Sequence, residues 1–163
     1  MQTLSSPLAR TLTSGTVSGL AVTLVAALAG RKETGSWSAP TNATSHIVWG
    51  EEAARHSRPS MKYSGTGFLL NHAASLMWAA VYEKWAEPAL RRWFARRPAL
   101  APLAPVVGAV AVSAGAYVTD YHLVPKRFTP GYEKRLSGRS IALIYGALAL
   151  GLAASTLVRA RRR

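Results

Sequence analysis

The residues best suited to chemistry in this chain are its histidines and the few carboxylates near them. Imidazole changes charge near neutral pH and is a common metal ligand, so a histidine can act as a base, a proton relay or a ligand. All four histidines fall in, or close to, two connecting segments that we expect at one end of the fold. The candidate polar or metal-binding cluster comprises His46, Glu52, His56, Asn71, His72, Asp120 and His122.

Three chemical roles are open for this cluster. A metal ion needs imidazoles and carboxylates that converge at about 2.0–2.2 Å, and Glu52 and His56 are a compatible pair one helical turn apart. A haem would need two facing histidines, such as His72 and His122. A histidine oriented by Asp120 could instead act as a general base on a lipid-derived substrate.

Motifs of known catalytic families are absent from the sequence. There is no cysteine, which excludes disulfides, thiolate metal sites and cysteine nucleophiles. The motifs G-x-x-x-x-G-K-S/T, H-E-x-x-H and G-x-S-x-G do not occur, and no activated nucleophile accompanies the histidines. The sequence therefore favours a protein that is not an enzyme, with no catalytic residues and no cofactor beyond the metal or haem considered above.

Four long stretches without a charged side chain must position these residues: 11–30, 63–82, 98–119 and 140–158. Each has about the length that an α-helix needs to cross a hydrocarbon layer of roughly 30 Å. We predict one all-α domain over residues 1–163, an integral membrane four-helix bundle. Two short interfacial helices are predicted in its loops. One covers 85–97, where apolar and basic residues alternate with helical spacing. The other covers 41–57, where Pro40 and a Thr or Asn cap introduce it and Glu51 precedes Arg55 by four residues.

His72 is the residue most in need of explanation, since an ionisable group at membrane depth is costly unless it is paired or hydrated. His72, Ser75, Ala79 and Glu83 return to nearly the same direction on a helix. We expect this face to look into the bundle. Asn71 and His72 would then form hydrogen bonds to the third predicted helix and clamp the two together.

Small residues recur in steps of four along the apolar stretches, as is typical of faces where membrane helices pack closely. A four-helix monomer does not need all of these faces, so unused ones could bind other membrane subunits or a second copy. The candidate packing residues are Gly15, Gly19, Gly108, Gly115, Gly146 and Gly151.

The chain carries a formal net charge of +13, which raises the possibility of a nucleic-acid partner. The positions of the charges favour a different partner, because arginines cluster just beyond two apolar stretches, where anionic lipid headgroups would contact them. Four crossings place both termini on one side. Lys and Arg number ten on each side, and the dense clusters in the 83–97 loop and the tail favour the cytoplasm for the termini. The candidate lipid contacts are Arg91, Arg92, Arg96, Arg97, Arg161, Arg162 and Arg163.

Several short runs carry a family resemblance: NATSH at 42–46, NHAAS at 71–75, WAAVYE at 78–83 and YHLVPKR at 121–127. In these runs the chain resembles a group of small, uncharacterised bacterial inner-membrane proteins with four spans. The resemblance implies a multi-pass protein of the bacterial inner membrane and implies no catalytic residues.

Two functions follow as expectations. The first is a helix-packing protein, an accessory or self-associating subunit of a membrane assembly. The alternative is a small carrier or sensor that binds a metal, a proton or a haem at its histidine-rich end.

Overall fold

A computed structural model describes residues 6–161, and over that range the chain is helical with no strand. The α-helices are α1 (Pro7–Thr34), α2 (Ala39–Thr44), α3 (His46–Trp49), α4 (Glu51–Arg55), α5 (Thr66–Val81), α6 (Glu87–Phe94), α7 (Ala104–Val118) and α8 (Gly138–Arg161).

Turns of other helical types lengthen two of these helices. A π-helical turn at Met61–Gly65 leads into α5, and another at Tyr82–Ala86 joins α5 to α6, so the chain is helical from residue 61 to residue 94. A 3-10 helix at Pro98–Leu103 leads into α7, which ends in a π-helical turn at Thr119–Leu123. Four long helical segments result, as the four apolar stretches predict.

Local chemistry explains where α1 begins and ends. The Ser6 side chain accepts a hydrogen bond from the backbone N–H of Ala9 at 3.1 Å, and Pro7 occupies the first helical position. Both features satisfy or remove N–H groups that a helix start leaves without partners. At the other end, Gly35 has a left-handed backbone, with a φ of 73°, which a residue without a Cβ adopts at little cost.

Three helical segments are long and apolar enough to cross a membrane: Pro7–Thr34, Pro98–Leu123 and Gly138–Arg161. They contain the predicted stretches 11–30, 98–119 and 140–158. The segment over 61–94 is not among them, and its apolar run is interrupted by the polar pair Asn71 and His72. The all-α prediction is confirmed, whereas the fourth crossing stays a prediction.

The four long segments alternate in direction. Glu33, near the end of α1, accepts hydrogen bonds from the backbone N–H and the hydroxyl of Ser137, just before α8, at 2.7 and 2.9 Å. At the opposite end, Glu83 contacts Arg10 of α1 and Arg159 of α8. We call the end at Glu83 the terminal end and the other, which carries residues 35–60 and 124–137, the loop end.

The two central helices are α1 and α8, which lie side by side. On one flank α5 packs against α1, and on the other α7 packs against α8, so α5 and α7 touch little. Ala79 and Leu152 are fully buried in the core, and Tyr82, just after α5, is fully buried against α7, where its hydroxyl donates to the Pro105 carbonyl at 3.0 Å. Separation of α5 from α7 leaves a space between them near the loop end.

At the loop end, α2, α3 and α4 form a compact cap instead of the single helix predicted over 41–57. Gly50, with a φ of 75°, separates α3 from α4, and this conformation breaks the helix. The cap is held by Asn42, whose amide donates to the carbonyls of His56 and Arg58, each at 2.9 Å. Asn42 also accepts a hydrogen bond from the hydroxyl of Ser64 at 2.6 Å.

Candidate functional site

A cavity of about 250 Å³ lies between α5, α8 and the end of α7, beneath the loop-end cap. Apolar side chains such as Val22, Leu70 and Leu148 form much of its wall. Phe128, which also lines the cavity, is 54% exposed, so the cavity reaches the surface beside this ring. An apolar cavity with a few converging polar groups is the usual form of a small-molecule site.

The most polar group of the cavity is Asp120. The π-helical turn that ends α7 carries this residue, and its carboxylate accepts a hydrogen bond from the Tyr145 hydroxyl at 2.6 Å. Within residues 6–161, no Lys or Arg forms an ion pair with Asp120. This is unexpected in a chain with 20 Lys and Arg residues and seven Asp and Glu residues, because a half-buried carboxylate ordinarily attracts a cationic partner.

Aromatic rings surround the same cavity. Trp78 of α5, Phe128 and Tyr132 of the α7–α8 connection and Tyr145 of α8 all line it. The Tyr145 ring is itself held edge-on against Tyr117, with ring centroids 5.4 Å apart. The face of an aromatic ring carries partial negative charge and attracts cations. The wall of this apolar cavity therefore contains one carboxylate and four aromatic rings, and both kinds of group attract cations.

A hydrogen-bonded chain closes the cavity on the α1 side. The Tyr132 hydroxyl donates to Oδ1 of Asn71 at 3.1 Å. The amide nitrogen of Asn71 in turn donates to the Thr23 hydroxyl at 3.0 Å and to the Gly19 carbonyl at 3.3 Å. Burial raises the pKa of Tyr132 to about 12, so its hydroxyl stays protonated and remains a donor at physiological pH.

The predicted clamp from Asn71 and His72 to the third long helix is not formed within residues 6–161. Asn71 was predicted to bond to the third long helix, but its hydrogen bonds reach α1 and Tyr132, because α5 packs on α1 and lies apart from α7. His72 packs its ring parallel to that of Phe68 at 5.9 Å, and its Nδ1 is buried without a hydrogen-bond partner in the described chain.

The polar face of α5 does look inward, as predicted. Ser75, Ala79 and Glu83 are all buried. A substituent on Gly19 would meet His72 and Ser75 at 3.0 and 3.2 Å, so α1 is the helix that covers this face.

The other candidate residues lie in the loop-end cap, except His122, which lies in the π-helical turn that ends α7. His46 is buried, and its Nδ1 donates to the Ala43 carbonyl at 2.8 Å. Glu52 accepts a hydrogen bond from Tyr63 at 3.0 Å, and His56 packs on the same ring at 4.8 Å. His122 is exposed beside Tyr117.

The predicted histidine-rich cluster is consequently not assembled as one ligand set. Across residues 6–161, no group of three His, Asp or Glu side chains is placed to hold a metal ion. Of the predicted cluster, only Asn71 and Asp120 line the cavity. Glu52 and His56 share Tyr63 as a partner, and the other residues of the cluster contact different neighbours.

The predicted packing glycines fall into two groups. A Cβ on any of the first group would collide with, or press tightly on, a neighbouring helix: Gly15, Gly19, Gly108 and Gly151. At Gly115 and Gly146 a Cβ would meet nothing within 4 Å. Four of these glycines are thus used inside the fold, and two are left on its outer surface.

The arginines proposed as lipid contacts also differ among themselves. Arg91 pairs with Glu87 one turn earlier on α6. The guanidinium of Arg97 lies 5.5 Å from the centre of the Trp93 ring. Arg92, Arg96 and Arg161 are exposed. Arg162 and Arg163 lie outside the described residues.

Sequence reasoning missed the aromatic residues of the cavity. Tyr145 is the one aromatic residue in the stretch 140–158, and that isolation is a signal that could have drawn attention to it. Phe128 and Tyr132 gave no comparable signal, because their role depends on how the α7–α8 connection folds back over α5.

Comparisons with known proteins give no relative from which to infer a function. The chain matches no protein-family model, no curated protein and no solved structure. The resemblance to small bacterial inner-membrane proteins accordingly stays an expectation, and function has to be argued from the cavity itself.

Proposed function

We propose that this protein is an integral membrane protein that binds a small organic cation in the cavity between α5 and α7. A single observation carries the proposal: the Asp120 carboxylate lies in an aromatic-lined cavity with no Lys or Arg partner in the described chain. A ligand with a substituted ammonium group would supply the missing positive charge. Its alkyl groups would fill the apolar space.

The composition of the wall favours an organic cation over a metal ion. Metal ions such as zinc or calcium require several oxygen, nitrogen or sulfur ligands at short distances. This cavity offers one carboxylate and four rings, and its other polar side chains, which include Thr44, Asn71 and Ser75, are uncharged. Aromatic rings stabilise ammonium groups by roughly 0.5–2 kcal/mol each, most strongly where water is excluded. The wall is therefore better suited to an alkylammonium group.

Three helices are long and apolar enough to cross a membrane. The proposal adds a fourth crossing, an orientation and a location. The segment 61–94 would make the fourth crossing, since α1 covers its polar face and leaves apolar residues such as Leu69 and Met77 outward. Both termini would then share one side, and the basic groups at the terminal end favour the cytoplasm. We propose the inner membrane of a bacterium as the location.

Calorimetric titration of the purified full chain in a neutral detergent tests the cation site. The probes are choline and its uncharged isostere, 3,3-dimethylbutan-1-ol. We expect choline to bind at least about tenfold more tightly than the isostere, because only choline carries the charge. Asp120→Asn should reduce this preference, and the aromatic rings would account for what remains.

Glu51→Gln is the matched control, because it removes an exposed carboxylate at the same end of the fold, outside the cavity. It should leave the choline affinity within about twofold of the native value. Equal binding of choline and the isostere, or equal loss in both variants, would contradict the proposal.

A second candidate function is the self-associating subunit expected from the sequence. Its support is that Gly115 and Gly146 lie on open surface while the other packing glycines are used internally. The occupant would be a second copy of the chain, because glycine faces suit close contact between helices. Native mass spectrometry should then show a dimer that Gly146→Leu disrupts, and a monomeric native chain would exclude this function.

A further inference from the structure

A second cavity, of about 380 Å³, lies at the terminal end of the fold. It is bordered by the start of α1, the end of α8 and the first turns of α6. Its wall differs from that of the first cavity, because charged side chains dominate it. Three arginines and two glutamates contribute: Arg10, Arg91, Arg159, Glu83 and Glu87.

The carboxylates of this cavity are already engaged by arginines. Glu83 is only 5% exposed, and its two oxygens face Arg159 at 2.5 Å and Arg10 at 3.6 Å. Glu87 accepts hydrogen bonds from Nε and Nη2 of Arg91. These contacts fix the three guanidinium groups around the cavity.

The charges of the cavity wall nevertheless do not cancel. Three guanidinium groups face two carboxylates, so the wall carries an excess of one positive charge. Nη1 of Arg159 is buried and has no hydrogen-bond partner in the described chain, and the buried Nε of Arg10 reaches Glu83 only at 3.6 Å, beyond hydrogen-bond distance. A buried donor without an acceptor is costly, and more so when it belongs to a charged group. The cavity therefore lacks one anion that can accept several hydrogen bonds.

We propose that this terminal-end cavity binds a phosphate group. Guanidinium groups match the geometry of phosphate oxygens, and one phosphate can accept hydrogen bonds from several arginines at once. Arg10 lies near the start of α1, and Arg159 lies near the end of α8. In helices that cross a membrane, this is the depth of lipid headgroups. The phosphate would come from an anionic phospholipid or from free phosphate in solution.

This site is independent of the cation cavity. The two cavities share no residue and lie at opposite ends of the helices. Loss of phosphate binding would therefore leave choline binding unchanged, and the two proposals can fail separately.

Thermal unfolding of the full chain in a neutral detergent tests the phosphate site. The midpoint is measured with inorganic phosphate, with phosphatidylglycerol and with phosphatidylcholine, all at one ionic strength. A rise with inorganic phosphate identifies a free-ion site. A rise with phosphatidylglycerol alone identifies a lipid headgroup site. No rise with either phosphate or phosphatidylglycerol overturns the proposal.

The test variant is Arg91→Gln, and its matched control is Arg92→Gln. Both residues are exposed and adjacent on α6, but only Arg91 lines the cavity. We expect Arg91→Gln to weaken binding by about tenfold or more, and Arg92→Gln to change it by less than about twofold. Equal weakening in both variants would show that the whole basic surface attracts the anion, and would overturn the proposal.

A measurement on the native chain covers the case in which Arg91→Gln fails to fold. Native mass spectrometry, after removal of the detergent, should show one tightly held phosphatidylglycerol or phosphate per chain. Spectra with no such adduct under conditions that preserve the fold would overturn the proposal.

Discussion

Tyr145 donates its hydroxyl hydrogen to the carboxylate of Asp120 across 2.6 Å, and so joins the middle of α8 to the end of α7. The same ring forms part of the cavity wall. The contact therefore places a carboxylate and an aromatic ring next to each other in the wall of one cavity.

The ring of Tyr145 and its hydroxyl can be tested separately. Tyr145→Phe keeps the aromatic face and removes the hydrogen bond, whereas Tyr145→Leu removes both. We expect Tyr145→Leu to weaken choline binding about two- to thirtyfold relative to Tyr145→Phe, since a ring contributes roughly 0.5–2 kcal/mol to cation binding. Equal affinities of the two variants in calorimetric titration would show that this ring does not contact the cation.

Two glycines of α8 provide a matched test of helix packing. A Cβ on Gly151 would lie 2.6 Å from the Cα of Ser18 on α1, whereas a Cβ on Gly146 would meet nothing within 4 Å. Gly151→Ala should destabilise the protein by about 1–3 kcal/mol, because α1 and α8 must move apart. Gly146→Ala should have no such cost and gains helix propensity.

Unfolding in detergent by a chemical denaturant would measure both glycine variants. Equal stabilities would mean that α1 and α8 do not pack at this distance.

Asn71 and Tyr132 should show energetic coupling. Their hydrogen bond of 3.1 Å links α5 to the α7–α8 connection. A double-mutant cycle with Asn71→Ala and Tyr132→Phe isolates this pair. We expect a coupling free energy of about 0.6 kcal/mol, up to about 1.7 kcal/mol, the range of polar contacts between membrane helices. If the two substitutions changed the free energy of unfolding in a strictly additive way, the two side chains would not interact.

The ion pair between Glu51 and Lys134 should make stability depend on pH. Nζ of Lys134 donates to both oxygens of Glu51, at 2.7 and 3.0 Å, and these hydrogen bonds lower the pKa of Glu51 below its ordinary value of 4.5. A lowered pKa in the folded state means that the stabilisation is present above the pKa of the unfolded chain. It is lost as the pH falls through the folded value.

Glu51→Gln measures this effect. The native chain should exceed the variant in unfolding free energy at about pH 6, by no more than about 1 kcal/mol because Glu51 is exposed, and this excess should vanish toward about pH 3. An excess that is the same at both pH values would exclude the pair as its source.

The sequence predicts the helical framework because the absence of charge over 20 residues or so has one strong physical explanation. The stretches 11–30, 98–119 and 140–158 each lie inside a long apolar helix. The inward polar face at Ser75 and Glu83 was also predictable, since helical periodicity alone defines it. The cap at the loop end was predicted less well, because the helix expected there is broken at Ser45 and again at Gly50.

The candidate site was only partly predictable. Asp120 and Asn71 stand out in sequence because polar groups beside apolar helices are costly. The residues that complete the cavity wall, such as Tyr145 and Phe128, are distant in sequence. They line one cavity because α5 and α7 lie apart in the fold. The histidines alone predict a metal cluster, but their side chains are not brought together within residues 6–161.

The most direct test of the cation cavity is to locate a bound cation. Arsenocholine has the shape and charge of choline, and its arsenic atom gives an anomalous X-ray signal. Crystals of the full chain grown with arsenocholine should show one anomalous peak within about 6 Å of the ring centroids of Trp78 and Tyr145, beside the Asp120 carboxylate. A bound arsenic atom elsewhere, or an empty cavity at a concentration that saturates choline binding, would contradict the account.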